Sequence, residues 1–271
     1  MYDYLNESFR NEESLQYILS IQVSLNGFSF CIRKANDNSL LVFKHTDLKI
    51  SNEQLVARRL EDWIHEEELL QKKYKALELI WMGPHFTLLP DNLNEEQIFS
   101  DTIRMLFPVQ TEEYAVSNIE QLNARLLFLL PTELKRFLND HFESFQIRHG
   151  VENLIRQNEK DAQEKQVRLL FDEKELYIIY FDEGQLKLCN AFSIKHANDA
   201  VYYILSALKQ FKVTPKNISA YLAGKSVFLT ASCEMLEKYF RSVDYFVPSP
   251  SATSGLDQKT ISEYPCLFNG K

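Results

Sequence analysis

The spacing of apolar and polar positions changes several times along this chain, and each change marks an element. Between residues 15 and 32 apolar residues alternate or cluster around Asn26 and Gly27, a dipeptide suited to a tight hairpin turn. This predicts strands over 15–25 and 28–32. After the polar turn Asn36, Asp37, Asn38, Ser39, residues 40–44 predict a third strand. Ser51 with Gln54 three positions on reads as a capping box, and Leu55, Val56, Leu60, Trp63 and Ile64 follow at helical spacing. An amphipathic helix is therefore predicted over 51–73. Residues 76–82, stopped by Gly83 and Pro84, predict a strand, and 94–106 a helix that ends before Pro108.

The same order recurs downstream. Strands are predicted over 167–171, 176–181 and 186–194, separated by Asp172, Glu173 and Lys174 and then by Asp182, Glu183 and Gly184. A helix follows with Ala200, Val201, Ile204, Leu205, Leu208 and Phe211 on one face. Next come a strand over 218–223, a turn at Gly224 and Lys225, and a helix turning Met235, Leu236, Tyr239 and Phe240 inward. Corresponding elements lie about 140–150 residues apart, far beyond the period of a solenoid. One duplicated domain accounts for this, with a first domain over 1–163 and a second over 164–271. Between the copies lie a hairpin (114–119 with 124–130), a helix from Pro131, a strand over 145–149 and a helix from Val151, expected to extend the first sheet. The charged stretch 158–165 reads as a solvated connector, with the boundary at Gln163.

Two such copies form an α/β protein of mixed sheets flanked by helices. Their element order resembles the ribonuclease H-like fold, and the tandem arrangement resembles the actin-like ATPase superfamily. More closely, SIQVSLNGFSF at 20–30 and WMGPHFTLLP at 81–90 resemble a family of uncharacterised Bacteroidetes proteins assigned this fold and named for its unknown function. The resemblance implies two tandem ribonuclease H-like domains with a crevice between them, where superfamily members hold nucleotide. It supplies no reaction.

Superfamily members hold phosphates and metal with a D-x-G turn between the first two strands of each half, where glycine lets main-chain N–H groups approach closely. In the first half that turn reads Ser24, Leu25, Asn26, Gly27, Phe28, Ser29. Gly27 and Ser29 suit the role, but no Asp is present, and Asn26-Gly27 is equally an ordinary hairpin turn. In the second half the turn is Asp172, Glu173, Lys174, Glu175, with a carboxylate and no glycine. Asp182-Glu183-Gly184 matches D-x-G but joins the second and third strands, the wrong turn of the repeat. After the fourth strand the superfamily carries paired glycines at the adenosine and α-phosphate. Here Gly224 stands with Lys225 in the second position, and a single glycine ending a strand is common. The neighbouring G-K-S lacks the first glycine of a P-loop, where Ser219 stands, and that reading fails. Gly27, Ser29, Asp172 and Gly224 are thus the candidate cofactor-binding positions; no catalytic or metal-binding residue is named.

Other chemistry finds less support. The first strand has no Asp or Glu for a two-metal nuclease. The six histidines show no HExxH or close pair, and GxSxG is absent. Four dispersed cysteines, without CxxC spacing, read as reduced and mostly buried. A net charge of -8 opposes phosphate backbones and anionic headgroups, so neither nucleic acid nor membrane is an expected partner. No apolar stretch approaches a bilayer span, and a cytoplasmic location is expected. Trp63, Ile64, Trp81 and Phe86 read as core. The tail over 248–271 starts with Ser, Thr, Pro and Gly and ends in Tyr264, Pro265, Cys266, Leu267 and Phe268. It reads as a last strand docked on the body or as an exposed strand for a partner.

The expectation is an actin-like protein without competent ATP hydrolysis that works through a protein partner or self-assembly. No cofactor is expected: ATP and magnesium are what the fold would admit, but their motifs are not intact. The alternatives are a divergent ATPase or sugar-kinase-like enzyme and a small-ligand sensor.

Overall fold

A computed structural model of the chain describes residues 3–107, 113–156, 164–247 and 255–268. These residues fall into two compact units: those up to 150 with 255–256 and 266–268 form the first, and those of 151–247 with 257–265 the second. The boundary expected at Gln163 lies outside the described residues.

The first unit opens with β1 (Tyr4–Leu5), β2 (Tyr17–Ser24), β3 (Gly27–Lys34) and β4 (Leu40–Thr46). Helix α1 (Val56–Glu66) and strands β5 (Ala76–Trp81) and β6 (Phe86–Pro90) follow, then α2 (Glu96–Leu106), β7 (Glu113–Ile119), β8 (Ala124–Leu130), α3 (Thr132–His141) and β9 (Gln146–His149). Its main sheet has the order β1-β4-β3-β2-β5-β9, with β2, β3 and β4 antiparallel and β5 parallel to β2. Period-2 alternation sends Phe28 and Phe30 to the face that packs on α1, where both rings meet Trp63. Trp63, Ile64, Trp81 and Phe86 are buried as expected.

Several sequence expectations change here. The long helix over 51–73 breaks into a short 3-10 turn, α1, and another 3-10 turn at Glu68–Gln71. Asn52 rather than Ser51 caps its start, its side chain accepting from the Leu55 amide, and Leu55 is exposed. The break falls at Glu67, which takes an extended backbone and is buried against the Lys44 ammonium of β4. An ion pair to the sheet overrides helix propensity there. The hairpin β7–β8 does not extend the main sheet. It joins β6, which the sequence reading did not separate from the Gly83-Pro84 turn, in a three-stranded sheet β6-β8-β7 under α2. Only β9 extends the main sheet.

The second unit contains α4 (Gly150–Arg156, from Val151 on), β10 (Gln166–Asp172), β11 (Glu175–Asp182), β12 (Gln185–Ser193), α5 (Ala197–Gln210), β13 (Ser219–Lys225), α6 (Leu229–Leu236), β14 (Ser242–Tyr245) and α7 (Gln258–Glu263). Its sheet order is β12-β11-β10-β13-β14, with β10, β11 and β12 antiparallel and β13 parallel to β10. Val167, Leu169 and Phe171 of β10 face the core under α5 and α6, with Ile204, Leu208 and Leu236. Tyr239 is exposed rather than inward, because α6 ends at Leu236 before the chain enters β14. Among the described residues of the tail no strand forms: α7 packs against β13, and residues 266–268 form a buried turn in the first unit.

Candidate functional site

Each unit places its candidate residues at the end of its sheet where the first hairpin meets the fourth strand of the repeat. In the second unit Phe171 is level with Gly224, and Asp172 with Lys225. The Glu173 amide donates to the Lys225 carbonyl at 2.9 Å, and the Ser226 hydroxyl donates to the Glu173 carbonyl. Asp172 and Gly224, distant in sequence, are thus brought together at the carboxyl ends of two parallel strands. Asp182 lies at the other end of the sheet, since Phe181 pairs with Gln166, and it is held by Lys165 at 3.1 Å. Seven residues of β10 separate the two ends, roughly 20 Å of extended chain. Asp182 takes no part in the Asp172 end.

In the first unit the β2–β3 turn closes with Ser24 level with Gly27. The Asn26 amide donates to the Ser24 hydroxyl at 3.0 Å, and the Ile50 amide to the Leu25 carbonyl at 2.8 Å. Ser29 is buried on β3, level with Gln22 and His45. Gly27 and Ser29 share the first unit; Asp172 and Gly224 share the second.

What surrounds the two glycines tells what they do. Gly27 has φ +122°, and a Cβ there would sit 2.1 Å from the Thr46 carbonyl oxygen. Gly224 has φ +92°, and a Cβ there would sit 2.0 Å from the Phe171 carbonyl oxygen. Each therefore needs to be glycine for its backbone conformation and for the close approach of its own chain. No bound phosphate is required to explain either one.

At the matching end of the first sheet, the Met82 amide donates to the Val23 carbonyl, and the chain turns through Gly83. His149, at the end of β9, is wholly buried and donates from Nε2 to the Gly83 carbonyl at 2.7 Å, its ring against Phe86 and Phe128. Burial lowers its pKa to about 4, so the ring is neutral near pH 7. This end is packed with Trp81, Met82, Phe86, Phe128 and His149.

A partly buried polar cluster on the main sheet escaped the sequence reading. Glu78 of β5 accepts from Ser20 at 2.8 Å and from Arg33 at 3.0 Å, and Arg148 of β9 lies 3.4 Å from its other oxygen. Arg33 also donates to Asn38 and to Ser20, both at 2.8 Å. The signal was polar residues recurring at period 2 inside apolar strands, but the Glu78 carboxylate lies 45 positions from Arg33 and 58 from Ser20. In the second unit Arg168 lies between Phe181 and Phe246, 5.0 and 5.1 Å from the ring centres, and donates to the Leu154 carbonyl. Among the described residues no group of three or more His, Cys, Asp or Glu is placed to hold a metal ion.

Comparison with known structures matches this architecture. A protein of unknown function with an actin-like ATPase fold from Bacteroides thetaiotaomicron VPI-5482 is 22% identical, with a TM-score of 0.81 over 88% of this chain and 93% of that one. A chain of the PilM-PilN type IV pilus biogenesis complex is 10% identical, with a TM-score of 0.57 over 93% and 95%. No curated protein matches the chain. The fold is thus α/β with actin-like ATPase architecture, two ribonuclease H-like domains in tandem. Residues 6–243 match the model of the family described as "Protein of unknown function (DUF3822)", and the chain belongs to that family.

Proposed function

We propose that this chain is a non-catalytic actin-like protein that acts by binding a protein partner or by assembling with copies of itself. The observation that carries the reading is the setting of Gly27 and Gly224, whose Cβ positions are taken by the chain's own carbonyl groups. The first-half turn also has no carboxylate to order a cation's waters. That a protein of this fold occurs in the PilM-PilN complex adds support for a partner-binding role. Free cysteines and an acidic charge fit the cytoplasmic location we propose for it. No helix among the described residues is long and apolar enough to cross a membrane.

The direct test is recovery of the tagged chain from its native host, with cross-linking mass spectrometry for partners and light scattering for self-assembly. Titration calorimetry with magnesium and ATP is the counter-test. Tight, magnesium-dependent binding with turnover that Asp172→Asn removes would overturn the proposal.

One observation favours a second reading, a divergent nucleotide-binding enzyme. Asp172 and Lys225 stand level at the carboxyl ends of β10 and β13, the end at which open α/β sheets take ligands. In that case Asp172 would order a cation and Lys225 would meet an anionic group. Asp172→Asn is the informative variant, since it leaves the backbone unstrained.

A further inference from the structure

Strand β12 is one edge of the second sheet, and among the described residues no strand pairs on its other side. One bond sets the direction of its main-chain groups. The Ile194 amide donates to the Lys174 carbonyl, on the β11 side. By the alternation of an antiparallel ladder, Phe192, Asn190 and Leu188 then turn their main-chain groups to β11, and Ser193, Ala191 and Cys189 turn theirs outward. The Ala191 amide agrees with this, since it donates to the Asn190 side-chain oxygen at 2.9 Å. The ladder to β11 skips Lys187, a bulge that bounds the regular stretch at Leu188.

The edge has an apolar flank. Leu188 and Phe192 pack with the core beneath α5, where the Phe192 ring stacks on Tyr203 with centroids 4.9 Å apart. Tyr202, edge-on to Tyr203, is 66% exposed. An open edge beside exposed aromatic surface is a template for another strand.

The strand fits its own copy. Paired antiparallel about a two-fold axis at Asn190, β12 sets Ala191 opposite Cys189 on both sides of the axis, and their outward groups exchange main-chain hydrogen bonds. Phe192 then lies opposite Leu188 at both ends, on the face of Tyr203, an aromatic and aliphatic pair of the kind that stabilises a ladder. Lys187 lies opposite Ser193, whose hydroxyl donates to the Glu175 carboxylate at 2.8 Å. Each copy's ammonium thus comes to the other's carboxylate, and between 187 and 193 no like charges meet.

We propose that the β12 edge is an interface between two copies of this chain, joined antiparallel about Asn190 into one continuous sheet. This rests on the assembly arm of the proposed function and names its surface. In the free chain Asn190 caps the Ala191 amide; on pairing, that amide passes to the Cys189 carbonyl of the second copy.

The test is light scattering of the full chain over a concentration series, with variants alongside. A concentration-dependent dimer is expected. Ala191→Pro removes an outward amide that the ladder to β11 does not use, a place where edge strands accept proline, so it should abolish the dimer and keep the native circular dichroism. Asn190→Lys, at an exposed position, sets like charges opposite each other on the axis and should weaken the dimer at least ~tenfold. Asn190→Cys, oxidised with copper phenanthroline, should give a disulfide joining position 190 of the two copies, because a non-hydrogen-bonded pair has the closer Cα approach. A monomeric mass throughout the series overturns the proposal, whether the edge stays open or takes a foreign strand, and leaves the partner-binding arm of the proposed function standing. A dimer that folded Asn190→Lys does not weaken also overturns it, and leaves assembly standing through another surface. Asn190→Lys decides alone if Ala191→Pro fails to fold.

Discussion

His149 is neutral because its ring is buried between Phe86 and Phe128, and protonating it there would place a charge away from water. Its ordinary pKa of 6.5 falls to about 4 in the folded chain, so the unfolded chain binds the proton more readily. The contribution of His149 is complete above pH 6.5, shrinks as pH falls toward about 4, and changes no further below that. The loss across this window is roughly 3 kcal/mol. Urea titrations at pH 7 and pH 4.5 should show it, and His149→Gln, which can still donate to Gly83 but does not titrate, should flatten it. The two glycines act through backbone rather than charge. Gly27→Ala and Gly224→Ala should each cost about 2 kcal/mol or more, from left-handed strain and the collision with a fixed carbonyl. Loss of ligand binding in either variant would therefore report damage to the fold before it reported a nucleotide site.

The strands of the first sheet carry two patterns at once. One face is apolar against α1, and the other holds Ser20, Arg33, Glu78 and Arg148 in a partly buried network. Removing the carboxylate would leave two guanidinium groups without it, so Glu78→Ala should destabilise by about 3–5 kcal/mol. Glu78→Gln keeps the shape and one acceptor and should cost visibly less; denaturant midpoints of the two variants make the comparison. Element by element, most strands were legible in the sequence, because apolar alternation and turn residues report a half-buried strand directly. The hairpin of Gly27 and the helix of Ala200, Ile204 and Leu208 appear where their spacing put them. The misplaced ends have particular causes. Glu67 stops α1 for an ion pair with Lys44, a residue 23 positions away that no local window contains. Strand β14, only four residues with Asp244 and Tyr245 exposed, carries too little apolar pattern to be seen.

At the level of the whole chain, a ligand raises stability by an amount set by its concentration relative to its Kd, about 2.7 kcal/mol at a hundredfold excess. For a protein of this size that is roughly 5–10 °C in Tm. A chain that works without nucleotide should show a shift indistinguishable from zero with millimolar magnesium and ATP in differential scanning calorimetry. A shift of several degrees that Asp172→Asn removes would instead support the enzyme reading. The repeat of strand, strand, strand, helix, strand, helix was determined by the sequence alone, because hydrophobic period and turn chemistry are local properties that the linear order preserves. So was the absence of a carboxylate from the turn at Gly27. Only the tertiary structure decided that Asp172 meets Lys225 while Asp182 lies at the far end of the same sheet. It also decided that the segment at 266–268 is a buried turn on the first sheet rather than the last strand expected of the tail. The reason is the same in both cases: strand register and the burial of a non-regular segment depend on surfaces brought together from distant parts of the chain, and the local pattern of either segment does not encode its partner.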